Sequence, residues 1–259
     1  MTAGPILVFD SGVGGLSVAA ALRRCLPGAA LAYACDNAML PYGRREDAWL
    51  VRRILAVCEA AVAASRCSGL VVACNTASTL ALDALRERLR VPVVGTVPAI
   101  KPAAALSRSR HFGLLATSAT VSRPYTLRLI EAFAADCIVT RVAADSLVSE
   151  AERRLAGEAP DPEALRAALA PLWEDPDLDT VVLGCTHFPL LHEALATAAP
   201  RPVRWIDSSE AIARRTAQVV TEVATQQGPG ASFVTAADPR LTAGLARYGF
   251  AEPRLLALD

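Results

Sequence analysis

Lysine is almost absent from this sequence: Lys101 is the only one in 259 residues, and arginine supplies the rest of the 26 basic side chains. Chemistry that needs a lysine Schiff base, pyridoxal phosphate chemistry included, must therefore pass through Lys101. That residue lies in Val97-Pro98-Ala99-Ile100-Lys101-Pro102, before a proline and away from every polar motif, so this route is set aside. Charge of either sign is not in excess, since 26 acidic residues balance 26 basic ones. The arginine pairs are scattered and offset by acids, so nucleic acid is not an expected partner. No apolar run reaches the roughly 18 residues of a membrane helix, and the amino-terminal MTAGPILVFD has no basic leader region. A cytoplasmic protein without a membrane partner is expected. The seven cysteines are odd in number and include no CxxC, which excludes a regular disulfide framework and fits a reducing compartment.

What is present is aliphatic. Hydrophobic residues make up 53% of the chain and aromatics only 5%. Short β-branched runs alternate with helical patterns, the signature of α/β layers built on parallel sheets. Strands are predicted at 5–10, 30–35, 69–74, 92–96, 111–117, 137–142, 180–185, 203–207 and 232–235. A long helix is predicted over Ser208 to Gln227, capped by Ser208 or Ser209 and stopped by Gly228-Pro229-Gly230.

An internal repeat organises the whole. Val71-Val72-Ala73-Cys74-Asn75-Thr76 is echoed by Val182-Leu183-Gly184-Cys185-Thr186-His187, and the segment from Ile6 to Ser11 by that from Phe112 to Ser118. Two pseudo-symmetric, doubly wound parallel-sheet domains are expected, 1–97 with 208–259 as the first and 98–207 as the second. Ligands of such sheets sit beyond the carboxyl ends of the strands. Asp10, Cys74, Thr117 and Cys185 all end predicted strands, so the active site is expected in the cleft between the domains.

The segment Asp10-Ser11-Gly12-Val13-Gly14-Gly15 reads as a strand, a glycine turn and a helix start, which can present backbone N–H groups to an anion. A dinucleotide site is its rival, with Asp36 near the ribose-binding distance. Ser17 stands where the third glycine belongs, however, and Asp10 brings negative charge to the pyrophosphate position. A P-loop fails for want of GK[ST]. A zwitterion suits the turn better, with Ser11 and backbone N–H for its carboxylate and Asp10 for an ammonium or for orienting an acid-base group. Cys74 and Cys185 are each expected at a helix amino terminus, where the dipole lowers a thiol pKa. A metal set of Cys185, His187 and His192 is disfavoured, because five helical residues rotate the two imidazoles apart. Cys25, Cys35, Cys58, Cys67 and Cys137 read as packing residues. Tyr42, in Pro41-Tyr42-Gly43, is expected to close one side of the cleft and donate a hydrogen bond.

With DSGVGG at 10–15, PYG at 41–43, ACNTAS at 73–78, VPAIKPA at 97–103 and GCTHFPLL at 184–191, the sequence resembles the glutamate racemase family, within the wider aspartate/glutamate racemase group. The resemblance implies conversion of L-glutamate to D-glutamate for peptidoglycan, without metal or organic cofactor. It carries proton transfer onto Cys74 and Cys185, the first serving the D face and the second the L face, with Asp10 and His187 assisting. It carries substrate contacts onto Asp10, Ser11, Tyr42, Gly43, Asn75, Thr76, Thr117, Ser118, Thr186 and His187, and leaves a homodimer open. Because the first strand begins so early, a protein without the amino-terminal extension that the resemblance associates with activation by a peptidoglycan precursor is expected. Racemisation of aspartate or hydantoins, a nucleotide-dependent oxidoreductase, and a non-catalytic protein acting on DNA gyrase are the alternatives.

Overall fold

In the computed structural model, which describes residues 3–258, all nine predicted strands form, to within two residues at either end. They are β1 Ile6–Asp10, β2 Leu31–Cys35, β3 Gly69–Val72, β4 Val93–Gly95, β5 His111–Ala116, β6 Ile138–Ala143, β7 Thr180–Leu183, β8 Arg204–Ile206 and β9 Ser232–Val234. A short β10, Arg254–Leu255, was not expected; two exposed residues leave no alternation to read. The helices are α1 Leu16–Cys25, α2 Asp47–Ser65, α3 Asn75–Arg88, α4 Ile100–Leu106, α5 Ser118–Ser122, α6 Pro124–Phe133, α7 Ser146–Leu155, α8 Pro162–Leu169, α9 His192–Ala198, α10 Ser209–Val219 and α11 Pro239–Arg247. No helix among the described residues is long and apolar enough to cross a membrane.

Two separate parallel sheets result, ordered β10-β9-β2-β1-β3-β4 and β6-β5-β7-β8. The repeat seen in the sequence is therefore a repeat of topology: in each half the first strand is central, the second lies on one side, and the third and fourth lie on the other. Register places Ile6 beside Leu31 and Gly69, and Phe112 beside Val139 and Thr180. Helices cover both faces. Ile6 and Val8 pack with α1 and α10 through Leu16, Leu22 and Ile212, whereas Leu7 and Phe9 meet Leu50, Ile54 and Val57 of α2 and Leu85 of α3. In the second sheet Leu115 and Val181 face α7 and α8, while Phe112, Leu114 and Val182 face α4. Each such side chain contributes roughly 1.5–3 kcal/mol by its burial.

Local sequence explains the helices that frame the site. On α2 the buried residues Leu50, Ile54, Val57, Cys58 and Ala61 recur at helical spacing, and the Glu46 carboxylate accepts the N–H groups of Ala48 and Trp49 at its start. The long carboxyl-terminal helix is shorter than expected, ending at Val219 rather than Gln227. The β-branched run beyond it favours extended backbone, and that stretch bridges Gly4 through Val223 and Ala29 through Thr225. Its cap also differs: Asp207 accepts the Ser209 N–H, while the Ser208 hydroxyl donates to the carbonyl of Val97.

Candidate active site

A reversal of winding direction occurs in each sheet between its central strand and the next, β1 and β3 in the first, β5 and β7 in the second. Loops diverge there and leave a crevice at the carboxyl ends. The two crevices face each other across one cavity, lined by Ser11, Tyr42, Gly43, Cys74, Asn75, Thr76, Thr117, Cys185, Thr186 and His187 among others. The volume open to the centre of a water molecule is only about 30 Å³, room for about two waters.

Cys74 caps α3, with its sulfur 3.6 Å from the Ser11 hydroxyl and within reach of the Ala77 N–H. The dipole argument alone predicts a lowered pKa. Burial wins instead: desolvation, reinforced by the Asp10 carboxylate, pushes the thiol up to about 12 against those two hydrogen bonds. The group at Cys74 is therefore a thiol at neutral pH. Cys185 follows β7 in the matching position, yet the chain then makes a 3-10 turn over Phe188–Leu191 before α9 begins. The expected helix terminus is replaced by a histidine, whose Nδ1 stands 3.9 Å from the Cys185 sulfur.

His187 is held on its other side by Glu152, with Nε2 to Oε1 at 2.8 Å. Burial alone would depress the imidazole, but its bonds to Cys185 and Glu152 outweigh that and set it well above the usual histidine range. His187 is thus an imidazolium at neutral pH, placed between the Cys185 sulfur and Glu152. Glu152 was invisible to motif reading. The available signal was weak: on α7 it falls at helical spacing from buried Val148 and Leu155, a charge within an apolar stripe. Leu40, Thr120 and Val148 also line the cavity without having been expected.

The glycine turn acts differently from an anion cradle. The Gly12 N–H donates to Asp10 and the Val13 N–H to Glu152, so carboxylates of the protein itself already occupy these donors. The turn is the surface on which the second half docks. A Cβ on Gly12 would fall 2.3 Å from Glu152 Oε1, and one on Gly14 would fall 2.6 Å from both His187 Nδ1 and Thr186 Oγ1. Asp10 is fully buried, accepting from the Thr186 hydroxyl at 2.8 Å, from Ser11 and from Gly12. Desolvation raises its pKa, with His187 and these donors opposing. Asp10 lies behind the cavity wall, where it orients Ser11 and Thr186.

Other expected contacts divide. Asn75 and Thr76 line the cavity, and Asn75 Nδ2 donates to the Gly184 carbonyl at 2.8 Å while its buried Oδ1 has no partner. Thr117 lines it too, with its hydroxyl 3.1 Å from that of Thr120. Ser118 does not; it is exposed and binds Asp145, because the first turn of α5 rotates it outward. Gly43 and the ring of Tyr42 border the cavity, but the Tyr42 hydroxyl donates to Asp36 rather than into the cleft. Asp36 is itself buried and gripped by Arg53 and Thr235, which leaves nothing for a ribose. His192 is exposed and edge-on to Trp205, away from His187, so Cys185, His187 and His192 form no ligand set. Cys35, Cys58 and Cys67 are buried packing residues, while Cys25 and Cys137 are half-buried.

These protonation states have a testable sign. The raised Cys74 pKa means that the folded state keeps a proton which the unfolded chain, with its ordinary thiol near 9, releases. Its contribution to stability is complete below pH 9 and is lost as pH rises towards 12. The ultraviolet absorbance of the Cys74 thiolate, read as the difference between the wild type and Cys74→Ala, should accordingly be small near pH 9 and grow towards pH 12. A plateau near pH 9 would refute the burial argument.

Similarity to known proteins agrees with this geometry. The Asp/Glu/Hydantoin racemase family model matches residues 16–216. A glutamate racemase of Shewanella loihica is 53% identical over 210 residues, covering 81% of this chain and 79% of that protein. One of Sodalis glossinidius is 45% identical over 266 residues, covering 98% and 91%. Among solved structures, Escherichia coli glutamate racemase, in complex with L-glutamate and the activator UDP-MurNAc-Ala, superposes with a TM-score of 0.94 at 44% identity and covers 99% of both chains. With the fold, the paired strand-end cysteines and these likenesses in agreement, the chain belongs to the Asp/Glu/hydantoin racemase family of isomerases.

Proposed function

We propose that this protein interconverts L- and D-glutamate by a two-base mechanism in which Cys74 and Cys185 work on opposite faces of the α-carbon. The observation that carries the reading is the placement of these thiols at equivalent strand ends of two similar halves, both bordering one cavity. Inversion requires a base on one face and an acid on the other, with roles exchanged for the reverse reaction. In the L-to-D direction the Cys185 sulfur, as thiolate beside the His187 imidazolium, takes the α-proton; the Cys74 thiol then delivers its own proton to the other face. Return of a proton from Cys185 to Cys74, through solvent or the next turnover in reverse, restores the starting state.

The carbanion needs donors fixed before it forms. The Thr76 hydroxyl supplies a donor for the α-carboxylate. Ser11 and Thr186, whose hydroxyls donate to Asp10, border the substrate, and the unpartnered Asn75 Oδ1 suits the substrate ammonium. Asp10 and Glu152 act one step back, the first on Ser11 and Thr186 and the second on His187. Glutamate as the substrate is supported by the relatives at 45–53% identity, which are named for that activity. D-glutamate made in this way would supply peptidoglycan synthesis in the cytoplasm. The parts expected to move as units are 1–97 with 208–259, and 98–207.

Racemisation followed by circular dichroism, with L- and D-glutamate, aspartate and a hydantoin compared on metal-free protein, tests this reading. In D₂O the newly formed enantiomer should carry deuterium at Cα from either direction. Product that keeps the substrate hydrogen would mean a single base, and turnover of aspartate alone would move the specificity elsewhere in the family.

A further inference from the structure

Beyond the cavity lining, an ion pair bridges the two halves. Arg123, between α5 and α6, donates through both terminal guanidinium nitrogens to the carboxylate of Asp47, the first residue of α2, at 3.0 and 3.1 Å. The guanidinium is largely covered and its buried Nε has no partner, so these two bonds hold it in place. Its hydrogen bonds are the main cause of a lowered Asp47 pKa.

The position of the pair gives it meaning. Gly43 and Ala119 stand four residues before Asp47 and Arg123. A Cβ built on Gly43 would lie 3.1 Å from the Ala119 Cβ, so the two segments touch there. Gly43, Thr117 and Thr120 also line the cavity. The ion pair thus lies just outside the contact that closes the cavity, on segments from opposite sheets. With room for about two waters inside, the cavity must widen before an amino acid fits beside the thiols, and the Gly43–Ala119 contact between the halves is one that must give.

We propose that Arg123 and Asp47 are positioning residues for the reaction, a charged latch that holds the two halves closed over the substrate. The part that concerns turnover rests on the racemase reading above; the latch itself does not. An ion pair that is partly exposed shifts such an equilibrium by about two- to fivefold. It is also weakened by salt, unlike the buried hydrogen bonds beside it.

The test is the alkylation of Cys74 and Cys185 by iodoacetamide in the full chain without substrate, quantified peptide by peptide. Arg123→Gln and Asp47→Asn should each label both cysteines about two- to fivefold faster, with Cys137 unchanged as an internal control. High salt should bring the wild-type rate up to that of the variants and leave the variants unaltered. The double exchange Asp47→Arg with Arg123→Asp should restore slow labelling. In turnover, the single variants should raise KM for the amino acid more than they alter kcat. Wild-type labelling rates in both single variants would overturn the latch. So would equal acceleration at buried Cys58, which would signal general loosening, or failure of the exchange to restore slow labelling. Because labelling needs no substrate, the result stands whether or not glutamate is turned over.

Discussion

Alanine at either Cys74 or Cys185 should abolish racemisation in both directions, by about 10³-fold or more in kcat, while the fold survives. Each thiol serves one face of the α-carbon, and general acid-base groups of this kind contribute about 10²- to 10⁴-fold. The loss is not shared out: with one face unserved, no inversion can finish, so the double variant should be no worse than either single one. Folding should persist because both side chains are small: Cys74 belongs to one hydrophobic cluster and Cys185 packs against another, but each change to alanine removes only a single sulfur. Circular dichroism of turnover and thermal melting of the two variants make the check. Near wild-type racemisation in either would sink the two-base mechanism.

Gly14→Ala should be nearly as damaging, though Gly14 does no chemistry. Its Cβ would fall 2.6 Å from His187 Nδ1 and Thr186 Oγ1 and 2.7 Å from the His187 backbone nitrogen. Backbone cannot turn aside as a side chain can, so the halves must separate or His187 must shift. Overpacking of this sort costs about 1–3 kcal/mol, and displacing a reacting group by about 1 Å can cost 10²-fold in rate. We expect a fall in kcat of about that size together with a lower melting temperature. A fully active Gly14→Ala variant would show that the glycine turn does not set the distance between the halves.

Gly14 also illustrates how little of the interdomain geometry was legible. In the sequence the glycine turn reads as a place for an anion, because glycine turns before helices commonly are. The partner that fills it, Glu152, comes from a helix far along the chain and carries no motif. Tyr42 is similar: the PYG segment marks it as a cleft residue, yet its hydroxyl goes to Asp36, which only the packing of α2 and β9 around β2 brings into reach. Ser118 was misplaced for a simpler reason, since the residue after a strand end can point into the cleft or away from it depending on the first helical turn.

The two cysteines that end matching strands were determined by the sequence alone. So were the strands themselves, the division into two α/β halves and the small, polar character of the residues around the thiols. Those features follow from local periodicity and from a repeat that the chain carries in itself. The tertiary structure decided the protonation chemistry. A helix terminus by itself favours a thiolate at Cys74, but burial beside Asp10 makes it a thiol, and Cys185 gains an imidazolium in place of a helix dipole. Desolvation and charge pairing depend on which groups face each other across the cleft, and that is set by the docking of two halves whose contacts lie far apart in the chain.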